Sequence, residues 1–253
     1  MRKNGVFIIT VFGLLTLAPF AYADDAAAII ARAWDYMRGQ TSVSVVQMTV
    51  HRPDWERQTT IKAWTKGRED SIFQITAPAK DKGNGTLKRG KEMWTYNPKI
   101  NRVVKIPPSM MSQSWMGSDF SNNDLSKADA ILTDYTHEIV DMKTDDGMAV
   151  YVIKALPKPE APVIWGMQTL TIRADGVLME QTFHDEDLET VKVLTTSDIG
   201  EVGGRLFPRQ WQMRSTESES EEAYTRLVYL SLQFDVPLKD SMFTLNALKK
   251  PLR

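Results

Sequence analysis

Val46-Gln47-Met48-Thr49-Val50-His51-Arg52-Pro53-Asp54 is the stretch that sets the class of fold. Apolar Val46, Met48 and Val50 alternate with polar Gln47, Thr49 and His51, and Pro53-Asp54 then turns the chain. Successive side chains of a strand point to opposite faces, so a period of two marks a strand with one greasy face. Thr59, Ile61 and Ala63 continue the alternation, and Ser71, Phe73 and Ile75 repeat it after Gly67. Strand, turn, strand at this spacing reads as an antiparallel meander.

Upstream the period is different. Ala26, Ile29, Ile30, Ala33, Trp34 and Met37 recur at three- and four-residue spacing, which predicts a helix over Asp24–Arg38 closed by Gly39. Downstream, Met93–Tyr96 and Arg102–Ile106 flank the turn Asn97–Asn101 as a hairpin. The second half has the same style. Asp145-Asp146-Gly147 and Ala174-Asp175-Gly176 are hairpin signals, Leu227–Phe234 is a last strand, and Asp240–Lys249 a last short helix. About ten strands with helices only at the ends and middle predict a mainly β protein. Consecutive antiparallel strands with short turns favour one continuous curved sheet, closed or nearly so, whose concave face needs the helices and a loop to cover it.

The N terminus carries an address. Arg2 and Lys3 precede the uncharged run Gly5–Ala18, Pro19 breaks it, and Ala21-Tyr22-Ala23 supplies small residues before Asp24. That order is a secretory signal peptide over residues 1–23, cleaved after Ala23, and the run is shorter than the roughly 20 residues that span a bilayer. The expectation is a periplasmic protein with one domain over 24–253. Removing the leader takes 31 basic residues to 29 against 32 acidic ones, a net charge near −3. A nucleic-acid footprint needs a basic excess, so no nucleic-acid partner is expected. With no cysteine, an exported chain draws its stability from burial alone.

Patterns that suggest chemistry do not hold together. Gly85–Lys91 satisfies most of a P-loop, but Glu92 stands where the metal-binding hydroxyl belongs and strand-like residues follow instead of a helix. His51, His137 and His184 fall in no zinc pattern, and His184-Asp185-Glu186-Asp187 with Glu189 reads as a solvated acidic turn. Gly117-Ser118-Asp119 is no nucleophile elbow, and a Ser–His–Asp assembly would need distant segments such as Ser118 and His137. Neither a catalytic residue, a metal nor a cofactor is expected.

The meander is interrupted once. Pro107–Leu125 is too long and too greasy for a turn, with Met110, Met111, Trp115, Met116 and Phe120 set among Ser and Asn. Long loops are usually functional or disordered, and five large apolar side chains argue against disorder. Two readings stay open. These five residues plug one end of the sheet as core, or they form a lid over a cavity, with Met giving adaptable contacts. On strand parity the cavity wall would be Ile61, Phe73, Ile75, Trp94, Tyr96, Val104 and Ile106, which otherwise form a filled core. A sixteen-carbon acyl chain exposed to water costs on the order of 11 kcal/mol, which an apolar, deformable cavity would offset.

Several pieces together resemble the LolA-like outer-membrane lipoprotein-sorting family. They are Phe73–Pro78, Gly83–Leu87, Trp94-Thr95-Tyr96-Asn97-Pro98, Val104-Lys105-Ile106 and Gly117-Ser118-Asp119-Phe120, followed by Tyr151-Val152-Ile153, Pro157-Lys158, Phe207-Pro208 and Met213. The resemblance implies a half-open barrel around a helical lid, with a hydrophobic cavity between. It also implies a carrier of lipid or lipoprotein acyl chains, a partner such as an inner-membrane RND-type exporter or an outer-membrane acceptor, and no enzymatic activity. The family's lid-latching Arg has no matching helical position here. Within Gly117–Phe120 a structural role is the alternative, with Gly117 a tight bend, Asp119 a local cap and Phe120 an anchor. A different class of function under the same fold is an RseB-like module that senses envelope stress.

Overall fold

The computed structural model describes residues 25–250 apart from Glu217 and Glu219, so the expected leader at 1–23 lies outside the described residues. Helix α1 spans Ala26–Arg38. Asp25 caps it by accepting the Ala27 N–H at 3.1 Å, and Gly39, at φ 68°, ends it with its N–H on the Asp35 carbonyl. Six strands follow: β1 Thr41–Arg52, β2 Trp55–Lys66, β3 Asp70–Ala77, β4 Gly85–Arg89, β5 Glu92–Asn97 and β6 Arg102–Lys105. A long connection then carries two short helices, α2 Asn122–Ser126 and α3 Ala130–Thr133. Seven further strands complete the sheet: β7 Tyr135–Asp145, β8 Met148–Pro157, β9 Met167–Arg173, β10 Leu178–His184, β11 Thr190–Val202, β12 Arg205–Ser215 and β13 Tyr224–Phe234. Helix α4, Leu245–Leu248, lies near the C terminus.

All thirteen strands belong to one antiparallel sheet in the order β6-β5-β4-β3-β2-β1-β13-β12-β11-β10-β9-β8-β7. Each strand pairs with its neighbour in sequence, except where β1 pairs with β13 and joins the two halves. The sheet therefore has two free edges, β6 and β7, and is not closed into a barrel. The connection from β6 to β7 has to travel between those edges, and it does so across the concave face.

The two faces are filled differently. On the concave side α1 buries Ala26, Ile29, Ile30 and Ala33 against Tyr151, Ile153, Leu170 and Ile172 of β8 and β9. On the same side Met48, Val50, Ile61, Ile75 and Met93 pack around Trp115. The convex face of β2–β5 is covered as well, because Phe243 and Leu248 from the C-terminal segment bury Trp64, Ile72, Leu87 and Tyr96. Gly85 lets α4 come this close: a Cβ there would stand 2.8 Å from Leu248 Cδ1.

The P-loop-like segment Gly85–Lys91 is strand β4 and the turn into β5. His184–Glu189 is a turn between β10 and β11, in which Asp185 Oδ1 accepts the N–H groups of Asp187 and Glu189 at 3.0 and 2.9 Å.

Candidate functional site: a lidded cavity on the concave face

Between the sheet and the β6–β7 connection lies a cavity of about 360 Å³. Strands from both halves of the sheet wall it: Val46, Ile61 and Phe73 on one side, Leu194, Met213 and Leu227 on the other. Helix α1 contributes Trp34 and Met37, and the connection contributes Trp115, Phe120 and Leu125. Trp165 and Trp211 complete the aromatic lining. A partly open cavity of this size and lining is a small-molecule site in kind, mostly apolar with a few polar groups.

The lid holds its shape through its own bonds. Trp115 N–H donates to the Phe120 carbonyl at 2.7 Å, Ser118 Oγ donates to the Trp115 carbonyl at 2.7 Å, and Asn122 Nδ2 donates to the Met110 and Gln113 carbonyls. A capping box, Ser121 with Asp124, starts α2. The indole of Trp115 reaches the sheet, donating to Thr86 Oγ1 at 3.1 Å and meeting Phe73 edge-on at a ring distance of 5.3 Å.

Three carboxylates five residues apart fasten the lid to the sheet and to α1. Asp119, whose side chain is 5% exposed, accepts from Arg52 of β1 at 2.7 Å and from Thr225 of β13 at 2.6 Å. Asp124 pairs with Lys192 of β11, both nearly buried, and the Lys192 ammonium also stands 4.7 Å over the Trp165 ring. Asp129 accepts from Arg38 of α1 at 3.0 Å. Arg57 of β2 adds a fourth tie by donating to the Met116 carbonyl. Asp119 is thus no local cap; the cap is Ser121, and Asp119 reaches across to the strands. The arginines that hold the lid sit on strands and on α1, whereas an Arg within the lid helices was the position sought in the sequence.

The seven expected wall residues do not stay together. Ile61 and Phe73 line the cavity, while Ile75 shares their face but is packed away beneath Met93 and Trp115. Ile106 packs against that same group. Val104 is on the edge strand and 41% exposed. Trp94 and Tyr96 require a correction. They pair with Leu87 and Gly85 on β4 and point to the convex face, among Ile72, Leu87 and Phe243, so their parity is the reverse of the expected one. The inward side chain of β5 is Met93. Of the lid residues, Trp115 and Phe120 reach the cavity, Met111 and Met116 pack against the cluster around Trp115, and Met110 is 42% exposed on the outside.

The sequence reading missed half of the wall. Phe183, Leu194, Met213 and Leu227 stand at alternating positions of β10–β13, a signal as plain as that of β1–β3. The cavity also has polar walls, Ser42, Ser44, Thr65, Ser71, Lys88, Gln168 and Gln181, none of which hydrophobic patterning could select.

No curated protein matches the sequence. A protein-family model described as "Uncharacterized protein" matches residues 67–250, well over half of the chain. Among solved structures, a DUF1329 family protein from Desulfovibrio piger is 24% identical, with a TM-score of 0.77 over 88% of this chain and 97% of its own. A putative outer membrane lipoprotein-sorting protein domain from Vibrio parahaemolyticus is 18% identical, with a TM-score of 0.76 over 89% and 98%. A LolA superfamily protein from Nitrosomonas europaea is 21% identical, with a TM-score of 0.72 over 89% and 100%. The chain therefore belongs to the family of that model, with the LolA-like fold of lipoprotein-sorting proteins.

Proposed function

We propose that this protein is a periplasmic carrier that lodges the acyl part of a lipid or lipoprotein in the cavity and moves it toward the outer membrane, with no enzymatic step. The observation that carries this reading is the cavity of about 360 Å³ between a fastened lid and a sheet whose inner wall is largely aliphatic and aromatic. A carrier must also release its cargo. A lid held by a few ion pairs and by Met and aromatic side chains suits that better than a continuous core. The name of the Vibrio parahaemolyticus relative agrees with the reading.

Ser118 and His137, the residues a hydrolase would recruit, are engaged locally. The Ser118 hydroxyl donates to the Trp115 carbonyl, and His137 Nε2 meets the Ile131 carbonyl at 2.7 Å. The test is extraction of the protein purified from its native host, followed by mass spectrometry. The carrier reading predicts stoichiometric lipid or acylated peptide. Protein that is lipid-free as isolated and refuses added lipid would refute it. A role beside an RND-type exporter further predicts co-purification with an inner-membrane protein.

A further inference from the structure

One end of the cavity differs from the rest. On the concave face the pairings Ser42–Thr65, Thr65–Ser71 and Ser71–Lys88 run as one row across β1, β2, β3 and β4. All four residues line the cavity. The next row inward is mixed, with Ser44 beside Ala63 and Ala63 beside Phe73, and the row after it is apolar, with Val46 beside Ile61. Along the strands the wall therefore passes from polar to oily within a few residues, which is the polarity profile of an amphiphile.

The polar row ends in a buried cation that has hydrogen-bond donors to spare. Lys88 is 2% exposed. Its ammonium has three N–H donors, of which one reaches the Arg68 carbonyl at 2.5 Å, while Asp129 Oδ2 stands 3.9 Å away, beyond hydrogen-bond reach. Asp129 is already bonded to Arg38, which lines the same end, so a buried and a partly buried cation share one carboxylate. Burial first, and the neighbouring Arg38 second, push the Lys88 ammonium below the usual lysine range. A buried charge short of partners is costly, and a ligand anion would relieve that cost. Tyr229, also on the wall, has ring neighbours, yet its hydroxyl makes no hydrogen bond among the described residues.

We propose that the cavity takes a single-chain amphiphile with an anionic head, a carboxylate or a phosphate, seated on Lys88 and Arg38 with its tail along Ile61 and Phe73. This rests on the carrier reading above and narrows its cargo. A volume of about 360 Å³ is at the small end of binding pockets, which run from roughly 300 to 1,000 Å³, and it fits one slender tail.

Four tryptophans line the cavity, so their fluorescence reports occupancy. The experiment titrates the purified, delipidated protein with palmitate, palmitoyl lysophosphatidylglycerol and the neutral ester methyl palmitate. At least one anion is expected to bind about tenfold or more tighter than the ester, and which one does so identifies the head as carboxylate or phosphate. Lys88→Met is expected to remove that preference, and Lys88→Arg to keep it. Equal binding of ester and anions by the wild-type protein, or a preference that survives in Lys88→Met, overturns the proposal and leaves the carrier reading standing. Should Lys88→Met fail to fold, the wild-type comparison decides alone. Absence of any response, to the ester included, defeats both.

Discussion

Gly117 sits where the lid turns beneath Arg57. Its φ is +68°, a left-handed conformation that only glycine adopts without strain, and a Cβ there would stand 3.1 Å from the Arg57 guanidinium. Gly117→Ala is therefore expected to lower stability by about 1–2 kcal/mol, read as a reduced urea midpoint with an unchanged slope. A second single-residue effect concerns pH. Burial, the dominant influence, pushes the His137 imidazole below its ordinary 6.5, with Lys158 adding to it and the Ile131 carbonyl and Asp25 opposing. The native state thus binds fewer protons there than the unfolded chain. The contribution of His137 is fully present above pH 6.5 and is lost as pH falls through the lowered folded value. Denaturation at pH 7.5 and pH 5 should show stability falling across that window, and His137→Gln should shrink the fall. An unchanged slope in the variant would contradict the assignment.

The lid is the element on which the account depends, and its ties come from widely separated places: Arg52 on β1, Lys192 on β11 and Arg38 on α1. Each tie pins a different part of the connection. Asp119→Asn keeps the shape and removes the charge, weakening the bonds from Arg52 and Thr225 by about 1–3 kcal/mol. Hydrogen exchange should then quicken at the amides of Trp115, Ser118 and Asn122 while those of β8 and β9 stay protected. Uniform loss of protection would mean that Asp119 supports the whole fold instead of the lid. This element was half legible in the sequence. Its composition marked it as more than a loop, and Trp115 and Phe120 were the right anchors. The ion pairs were hidden because their partners lie 67 and 68 residues away for Asp119 and Asp124, and charges in a Ser- and Asn-rich segment read as solvated.

For the whole molecule, the strand alternation and its turns sufficed to predict one continuous antiparallel sheet, while its half-open form came from the resemblance to the LolA-like family. What alternation could not decide was which face of β5 is inner. Covering by Phe243 and Leu248 makes both sides of β5 apolar, so Met93 and Trp94 look equally suited to the inside, and alternation alone does not separate them. Cavities are invisible for a related reason: the same aliphatic side chains line a void or fill it. The central claim, that a tail occupies the space beneath the lid, is tested most directly by titrating the protein with dibromostearate, whose bromines quench indoles only at close range. Trp34, Trp115, Trp165 and Trp211 line the cavity, whereas Trp64 and Trp94 lie on the convex face and Trp55 is exposed. The account predicts saturable quenching that persists in a Trp55→Phe, Trp94→Phe double variant and weakens in Trp165→Phe, Trp211→Phe, where only Trp34 and Trp115 remain on the wall. Quenching that follows the convex-face tryptophans, or no saturable quenching at all, would contradict it.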